Sequence, residues 1–149
     1  MGALGVENGT ITEGQMTASS YLEKYGMPSL ARLNNKHIPA VTNGCWVPKV
    51  KDNNQWLQID IARIVGVSRV ATQGNDASIW WVTSYMIGYS LDGSVWSVYQ
   101  ENGAEFPGNT DRSSIVYNRL SPPVATRLIR FYPKGWNVNI SLRVEIYGC

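Results

Sequence analysis

The most regular alternation of apolar and polar residues lies at the end of the chain, in residues 140–148. Every second position from Ile140 to Ile146 is aliphatic. The intervening positions are Ser141, Arg143, Glu145 and Tyr147. A period of two places successive side chains on opposite sides of a strand. The pattern therefore predicts a strand with one buried face and one face in water.

Two internal segments repeat this pattern, residues 56–61 and residues 85–89. Their apolar faces are Leu57, Ile59 and Ile61 in the first segment and Tyr85, Ile87 and Tyr89 in the second. Asp92-Gly93 then predicts a turn, because glycine adopts positive φ without strain. Residues 95–99 resume as a strand, and residues 127–132 form another strand after the break at Pro122-Pro123.

The spacing of these short strands predicts an all-β sandwich or barrel. No twelve-residue segment has a helical apolar stripe, and Gly, Pro and Asn separate the strands. We find no internal repeat and no linker, so residues 1–149 are expected to form one domain.

Three long connections do not fit the strand pattern. They comprise residues 21–30, 34–46 and 74–81, and each contains apolar or aromatic residues. Loops on a rigid β scaffold often carry binding sites, although such loops also fold back onto the barrel. We expect the binding function in these connections.

Composition changes this picture little. The 149 residues are 44% apolar and 16% charged, as in ordinary folded domains. The net charge of +2, without a dense basic run, does not favour nucleic-acid binding. No apolar run is long enough to predict a membrane span, and residues 1–9 lack a signal-peptide pattern.

Candidate catalytic chemistry is weak. The single histidine, His37, has no catalytic motif around it. The carboxylates Glu23, Asp52, Asp60 and Asp76 show no spacing that selects a glycosidase pair. No metal-binding motif occurs, so we expect a non-enzyme without a cofactor, with calcium possible but not indicated.

A series of short motifs, in order along the chain, resembles one family. They include Leu4-Gly5-Val6-Glu7-Asn8-Gly9, Trp56-Leu57-Gln58-Ile59-Asp60, Trp81-Val82-Thr83-Ser84-Tyr85, Arg127-Leu128-Ile129-Arg130 and Leu142-Arg143-Val144-Glu145-Ile146-Tyr147-Gly148-Cys149. The chain resembles the discoidin domain, the type C domain of coagulation factors V and VIII. The resemblance implies a distorted eight-stranded antiparallel, jelly-roll-like barrel of the galactose-binding-domain-like class, with ligand loops at one end.

The resemblance also implies a binding module in a larger extracellular or cell-surface protein. Members of the family bind sugars, anionic phospholipid heads, collagen or peptide tails through those loops. The family's first cysteine is absent here, so we expect Cys149 to be unpaired. If the termini meet at the end of the barrel away from the loops, Cys45 is too far from Cys149 for a disulfide. Two free thiols are predicted.

Eleven residues in or beside these loops are candidate ligand contacts: Lys24, Tyr25, Met27, His37, Ile38, Asp52, Asn75, Asp76, Ser78, Ile79 and Trp80. The resemblance implies that Trp81 packs into the mouth of the barrel as a structural residue, and by alternation Trp80 then points away from it as a ligand platform.

The mixture of aromatic and polar residues in these loops favours a cell-surface glycan or glycoprotein as partner. The alternative is an anionic membrane surface, and a peptide or matrix-protein groove is less favoured. Nucleic acid is not expected as a partner, and the oligomeric state is left open.

Overall fold

The computed structural model describes residues 2–100 and 105–149. It contains eight strands: β1 (Gly2–Ala3), β2 (Met16–Ala18), β3 (Leu57–Gln73), β4 (Trp81–Ser90), β5 (Ser97–Val98), β6 (Phe106–Pro107), β7 (Val116–Asn137) and β8 (Arg143–Gly148). All pairings between these strands are antiparallel. The order is β1-β8-β3-β7-β4-β5, with β2 beside β3 and β6 beside β4. The all-β, eight-stranded prediction is confirmed.

Regular helix is confined, in the described parts of the chain, to two 3-10 turns at Glu13–Gln15 and Pro28–Leu30. The second begins with a proline, which fits a first helical position because its missing N–H would have no partner there. Within these residues, no helix has the length and hydropathy to cross a membrane.

The core follows the alternation predicted for β3 and β4. Leu57 and Ile59 are fully buried in β3, as are Tyr85 and Ile87 in β4. The Tyr85 ring stacks on Phe106 at a centroid distance of 5.7 Å. Burying an apolar side chain of this size contributes about 1.5–3 kcal/mol, so these two strands hold the two sides of the core together.

The water-facing side predicted for the last strand is wrong. Arg143 and Glu145 in β8 are both 1% exposed, as buried as the aliphatic residues between them. The Glu145 carboxylate accepts hydrogen bonds from the N–H groups of Val6 and Glu7 at 3.0 and 2.8 Å. The N-terminal segment therefore covers a face that the local pattern predicts to be in water.

The predicted break at Pro122-Pro123 lies inside β7. Between the pairs Val67↔Val124 and Arg69↔Arg119, β3 has one residue and β7 has four. The prolines occupy this wide bulge, where a missing backbone N–H costs no ladder hydrogen bond. The strand continues through the prolines because the bulge accommodates them.

Both cysteines are free thiols, as predicted. Cys45 is buried, and the Ser141 hydroxyl donates to its sulfur at 2.9 Å. Burial raises the pKa of the Cys45 thiol to about 11, although the Ser141 hydrogen bond opposes the shift. Cys45 is therefore a protonated packing residue at neutral pH, whereas Cys149 is exposed.

Candidate functional site

Five connections contact one another at the end of the sheet where β4 begins and β7 ends. We call them together the loop face: residues 21–30, 34–46, 48–54, 74–80 and 137–139. The first two are joined by the Asn43 N–H, which donates to the Tyr25 carbonyl at 2.9 Å. Three of the five were predicted from the sequence, and the structure adds residues 48–54 and 137–139.

Asp76 joins the second connection to the third. One of its oxygens, Oδ2, lies 2.8 Å from both the backbone nitrogen and the ring Nδ1 of His37. The other, Oδ1, lies 3.7 Å from Lys36 Nζ and 4.0 Å from the Arg143 guanidinium. Burial alone would raise the Asp76 pKa, but these hydrogen bonds and cations outweigh it, so its pKa lies below the ordinary value.

The fifth connection contacts the third, and the fourth contacts the fifth. The Asn137 side-chain amide donates to the Ile79 carbonyl at 2.8 Å. Lys51 Nζ donates to the Val138 carbonyl at 3.2 Å. Residues 48–54 and 137–139 therefore belong to the same surface as Ile79.

Arg143 holds the layer beneath the loop face. Its guanidinium donates to three backbone carbonyls, those of Gly74, Asn35 and Arg112, at 2.7, 2.6 and 2.8 Å. These carbonyls belong to three different connections between strands. Because the side chain is 1% exposed, this one buried cation fixes the relative positions of all three.

The ligand role expected for Asn75 does not agree with its position, because the residue is completely buried. Its Oδ1 accepts from the N–H groups of Ala77 and Ser78 at 2.7 and 3.0 Å, and its Nδ2 donates to Ser141 Oγ at 3.1 Å. The Asn75 N–H donates to the Trp80 carbonyl at 2.9 Å and closes the loop. Asn75 therefore stabilises the third connection through hydrogen bonds inside the loop.

The two adjacent tryptophans are both half-buried. Trp81 was expected to pack into the mouth of the barrel, and it is half-buried there, next to Val82, which is 0% exposed. The register of β4 shifts between Val82 and Tyr85, so alternation counted along the sequence fails there. The fully buried tryptophan is Trp46, whose indole N–H donates to the Ser20 carbonyl at 2.9 Å.

Exposed aliphatic and aromatic side chains are concentrated on the loop face. Of the eleven exposed large hydrophobic residues in the described part of the chain, seven lie in its five segments. We call six of them the apolar tips: Tyr25, Ile38, Val41, Val50, Ile79 and Val138, between 43% and 60% exposed. The sequence candidates included three of these and missed Val41, Val50 and Val138.

Val138 has a strained backbone. Its φ of 64° lies in the left-handed region, which β-branched residues rarely adopt. The Asn139 N–H donates to the Asn137 carbonyl at 2.7 Å, which closes a tight three-residue turn around it. The strain is maintained at a residue that is 54% exposed, where an apolar side chain gains nothing from the core.

Four exposed lysines, Lys24, Lys36, Lys49 and Lys51, surround these tips. The carboxylates of the same five segments are Glu23, Asp52 and Asp76. Four lysines against three carboxylates leave one excess positive charge in these segments, so the balance of charge on the loop face is positive.

Three other candidate residues are only half-buried. Ser78 and His37 are half-buried beside Asp76, and Met27 is half-buried at the start of the 3-10 turn Pro28–Leu30. Met27 lines a cavity of about 310 Å³ together with Tyr21 and Met16, beside the first connection. Among residues 2–100 and 105–149, no group of His, Cys, Asp and Glu is arranged to hold a metal ion.

Comparisons with known proteins agree on the family. The family model for the F5/8 type C domain matches residues 15–146. Mouse retinoschisin is 39% identical over 151 residues, which cover 98% of this chain and 67% of retinoschisin. Bovine coagulation factor V is 40% identical over 156 residues, which cover 98% of this chain and 7% of that protein.

A solved structure extends the comparison to three dimensions. Wild-type discoidin II from Dictyostelium discoideum superposes with a TM-score of 0.81 at 30% identity. The match covers 89% of this chain and about half, 53%, of the discoidin II chain. The sheet, the loop face and these matches together place the chain in the F5/8 type C, or discoidin, domain family.

Proposed function

We propose that this chain is a non-catalytic module that docks onto anionic phospholipid membranes through the loop face. The observation that supports this most is the set of apolar tips, which expose aliphatic side chains beside four lysines. An exposed apolar patch with a polar rim is typical of an interaction surface. The surrounding lysines favour a partner that is both apolar and negatively charged.

The energetics are adequate for such docking. A valine or isoleucine that leaves water contributes about 1.5–3 kcal/mol, and a lysine near an anionic surface contributes about 1 kcal/mol. Binding costs about 4–15 kcal/mol of lost translational and rotational freedom. Ile38, Ile79 and Val138 with two or three lysines offset the lower part of that range, which predicts reversible association.

The preference for a carbohydrate partner stays a prediction, and the geometry favours the alternative. A sugar site needs free polar groups beside an aromatic platform. Asn75 is buried, and the Asp76 carboxylate is held by His37 and lies near Lys36 and Arg143. The polar groups of Asn75 and Asp76 therefore stabilise the loops themselves, while the aliphatic tips remain exposed.

The proposal places the chain outside the cell or on its surface, within a larger protein, where anionic lipid and glycans are both encountered. It requires no resident cofactor, because the lysines supply the positive charge. Its partner is a membrane surface rather than a substrate, so no chemical step is assigned to any residue.

The test is sedimentation with lipid vesicles. We expect the protein to bind vesicles of phosphatidylserine and phosphatidylcholine and not vesicles of phosphatidylcholine alone. Added salt should weaken binding, since screening shortens the reach of the lysines. The double variant Ile79→Ser/Val138→Ser should bind at least about tenfold more weakly, because two buried aliphatic contacts are lost.

A matched control exists at the far end of β4. Leu91 and Val95 are 57% and 74% exposed, outside the loop face. The variant Leu91→Ser/Val95→Ser makes the same chemical change there and should bind vesicles as the wild type does. Equal loss in both double variants, or saturable binding to a glycan array without vesicle binding, would overturn the proposal.

A further inference from the structure

A further cavity lies outside the loop face, at the wide bulge between β3 and β7. It has a volume of about 470 Å³ and is lined by Ser68, Arg69, Arg119, Leu120, Ser121 and Pro123. No segment of the loop face contributes to this lining. The cavity exists because four residues of β7 oppose one residue of β3, so the longer strand moves away from its neighbour.

Two arginines face each other across this bulge. Arg69 and Arg119 are directly paired residues of the antiparallel strands, and both are exposed. Like charges in directly opposed positions of a sheet destabilise it. Among the described residues, no carboxylate lies within 4.0 Å of either guanidinium. The fold therefore keeps two adjacent positive charges without an internal counter-charge.

Arg69 is held in place, which distinguishes this pair from two flexible surface cations. Its guanidinium carbon lies 4.8 Å from the Tyr117 ring centroid and 4.3 Å from that of Tyr147. The two rings are inclined at 57°, so they form a V around the cation. A guanidinium fixed by aromatic rings loses less freedom when it binds an anion.

We propose that this cavity binds a sulfate or phosphate group carried on a small polar ligand, such as a sugar ester. Two guanidiniums present several N–H donors to a tetrahedral oxyanion, and such charge-assisted hydrogen bonds are strong. The Ser121 hydroxyl adds a donor, and Leu120 and Pro123 form an apolar wall for the rest of the ligand. The volume exceeds that of an inorganic anion and falls in the range of small-molecule sites.

The experiment is an NMR titration of the ¹⁵N-labelled chain at constant ionic strength, adjusted with sodium chloride. The probes are sodium sulfate, sodium phosphate, galactose 6-sulfate and unsubstituted galactose. We expect saturable shifts of the amides of residues 68–70 and 119–121 with the three anions and none with galactose. Tighter binding of galactose 6-sulfate than of free sulfate would support an ester as the ligand, whereas equal binding would contradict the part of the inference that the anion is carried on a larger ligand.

Arg119→Gln should weaken anion binding about tenfold or more, since a charged donor pair is lost. Arg119→Lys keeps the charge but not the fork of donors, and it should give an intermediate affinity. Arg63→Gln removes an exposed arginine elsewhere in β3 and should bind anions like the wild type. The side chains of Arg119 and Arg63 make no hydrogen bond or ion pair within the described residues, so all three variants are expected to fold.

Shifts that never saturate, or that are the same in Arg119→Gln and the wild type, would overturn this inference. The outcome is independent of the proposed function, because Arg119→Gln should bind phosphatidylserine vesicles normally. Loss of vesicle binding in that variant would show instead that the cavity and the loop face are one site, which also contradicts the inference.

Discussion

The apolar tips of the loop face and the layer directly beneath them use opposite chemistry. The tips are aliphatic or aromatic side chains in water, whereas the layer beneath contains buried polar groups such as Arg143 and Asn75. Arg143 donates to backbone carbonyls, and Asn75 accepts from backbone N–H groups and donates to the Ser141 hydroxyl. The difference indicates that the buried layer sets loop positions while the tips are free for a partner. Substitutions in the buried layer should therefore lower stability, and substitutions at the tips should lower binding.

The largest loss of stability is expected from Arg143→Met. The change leaves three carbonyls without their buried donor and removes one of the two cations near Asp76, the other being Lys36. Removing one partner from a buried charged network costs about 3–5 kcal/mol. The free energy of unfolding in urea measures this cost, and the exposed control Arg63→Met should change it by no more than about 0.5 kcal/mol. A cost below about 1 kcal/mol would show that the loops are positioned by other contacts.

Asn75→Ala should have the next largest effect. It removes the acceptor of the Ala77 and Ser78 N–H groups and the donor to Ser141. Leaving such groups unpaired costs about 1–3 kcal/mol. Urea unfolding again measures the cost, with exposed Asn53→Ala as the control. If both variants lose the same small amount of unfolding free energy, Asn75 does not stabilise its loop.

Asp76 makes the junction of the second and third connections sensitive to acid. Its folded pKa is lowered, so it contributes stability that is present above its unfolded pKa of about 4. That contribution is lost as the pH falls through the lower folded value. The difference in unfolding free energy between the wild type and Asp76→Asn should be constant near neutral pH and shrink below about pH 4. A difference that does not change with pH would exclude this role.

The smallest change in stability is expected at a tip, where stability should hold or rise while vesicle binding falls. Val138→Gly relieves a left-handed backbone that a β-branched residue adopts only with strain. We expect stability to stay equal or to rise by up to about 1 kcal/mol, while vesicle binding falls because the side chain is lost. Val138→Ala, which keeps a Cβ, should not gain as much stability. A lower free energy of unfolding in the glycine variant would contradict the claim that the Val138 backbone is strained.

Sequence alternation predicted the strands well and the buried polar layer poorly. Leu57, Ile59 and Ile61 lie inside as expected, because that face meets a single continuous core. Alternation predicted that Arg143 faces water. Its burial was missed because its partners Asn35, Gly74 and Arg112 are distant in sequence. Burial of this kind depends on tertiary contacts that no local period contains.

The candidate site was predicted only in part, because some of its residues have no local sequence signal. The connections at residues 21–30, 34–46 and 74–81 were identified by length and composition, and they contact one another, for example through His37 and Asp76. Val138 was missed because a single valine between two asparagines has no periodic signal. An aliphatic residue in a polar turn was nevertheless visible in the sequence, and Val50 between two lysines shows the same feature.

The most direct measurement of the central claim is amide hydrogen exchange with and without phosphatidylserine vesicles. The account predicts added protection in residues 36–42, 76–80 and 136–140, with no change in residues 91–97 at the far end of β4. Protection spread evenly over both ends, or confined to residues 91–97, would contradict the assignment of the loop face as the docking surface.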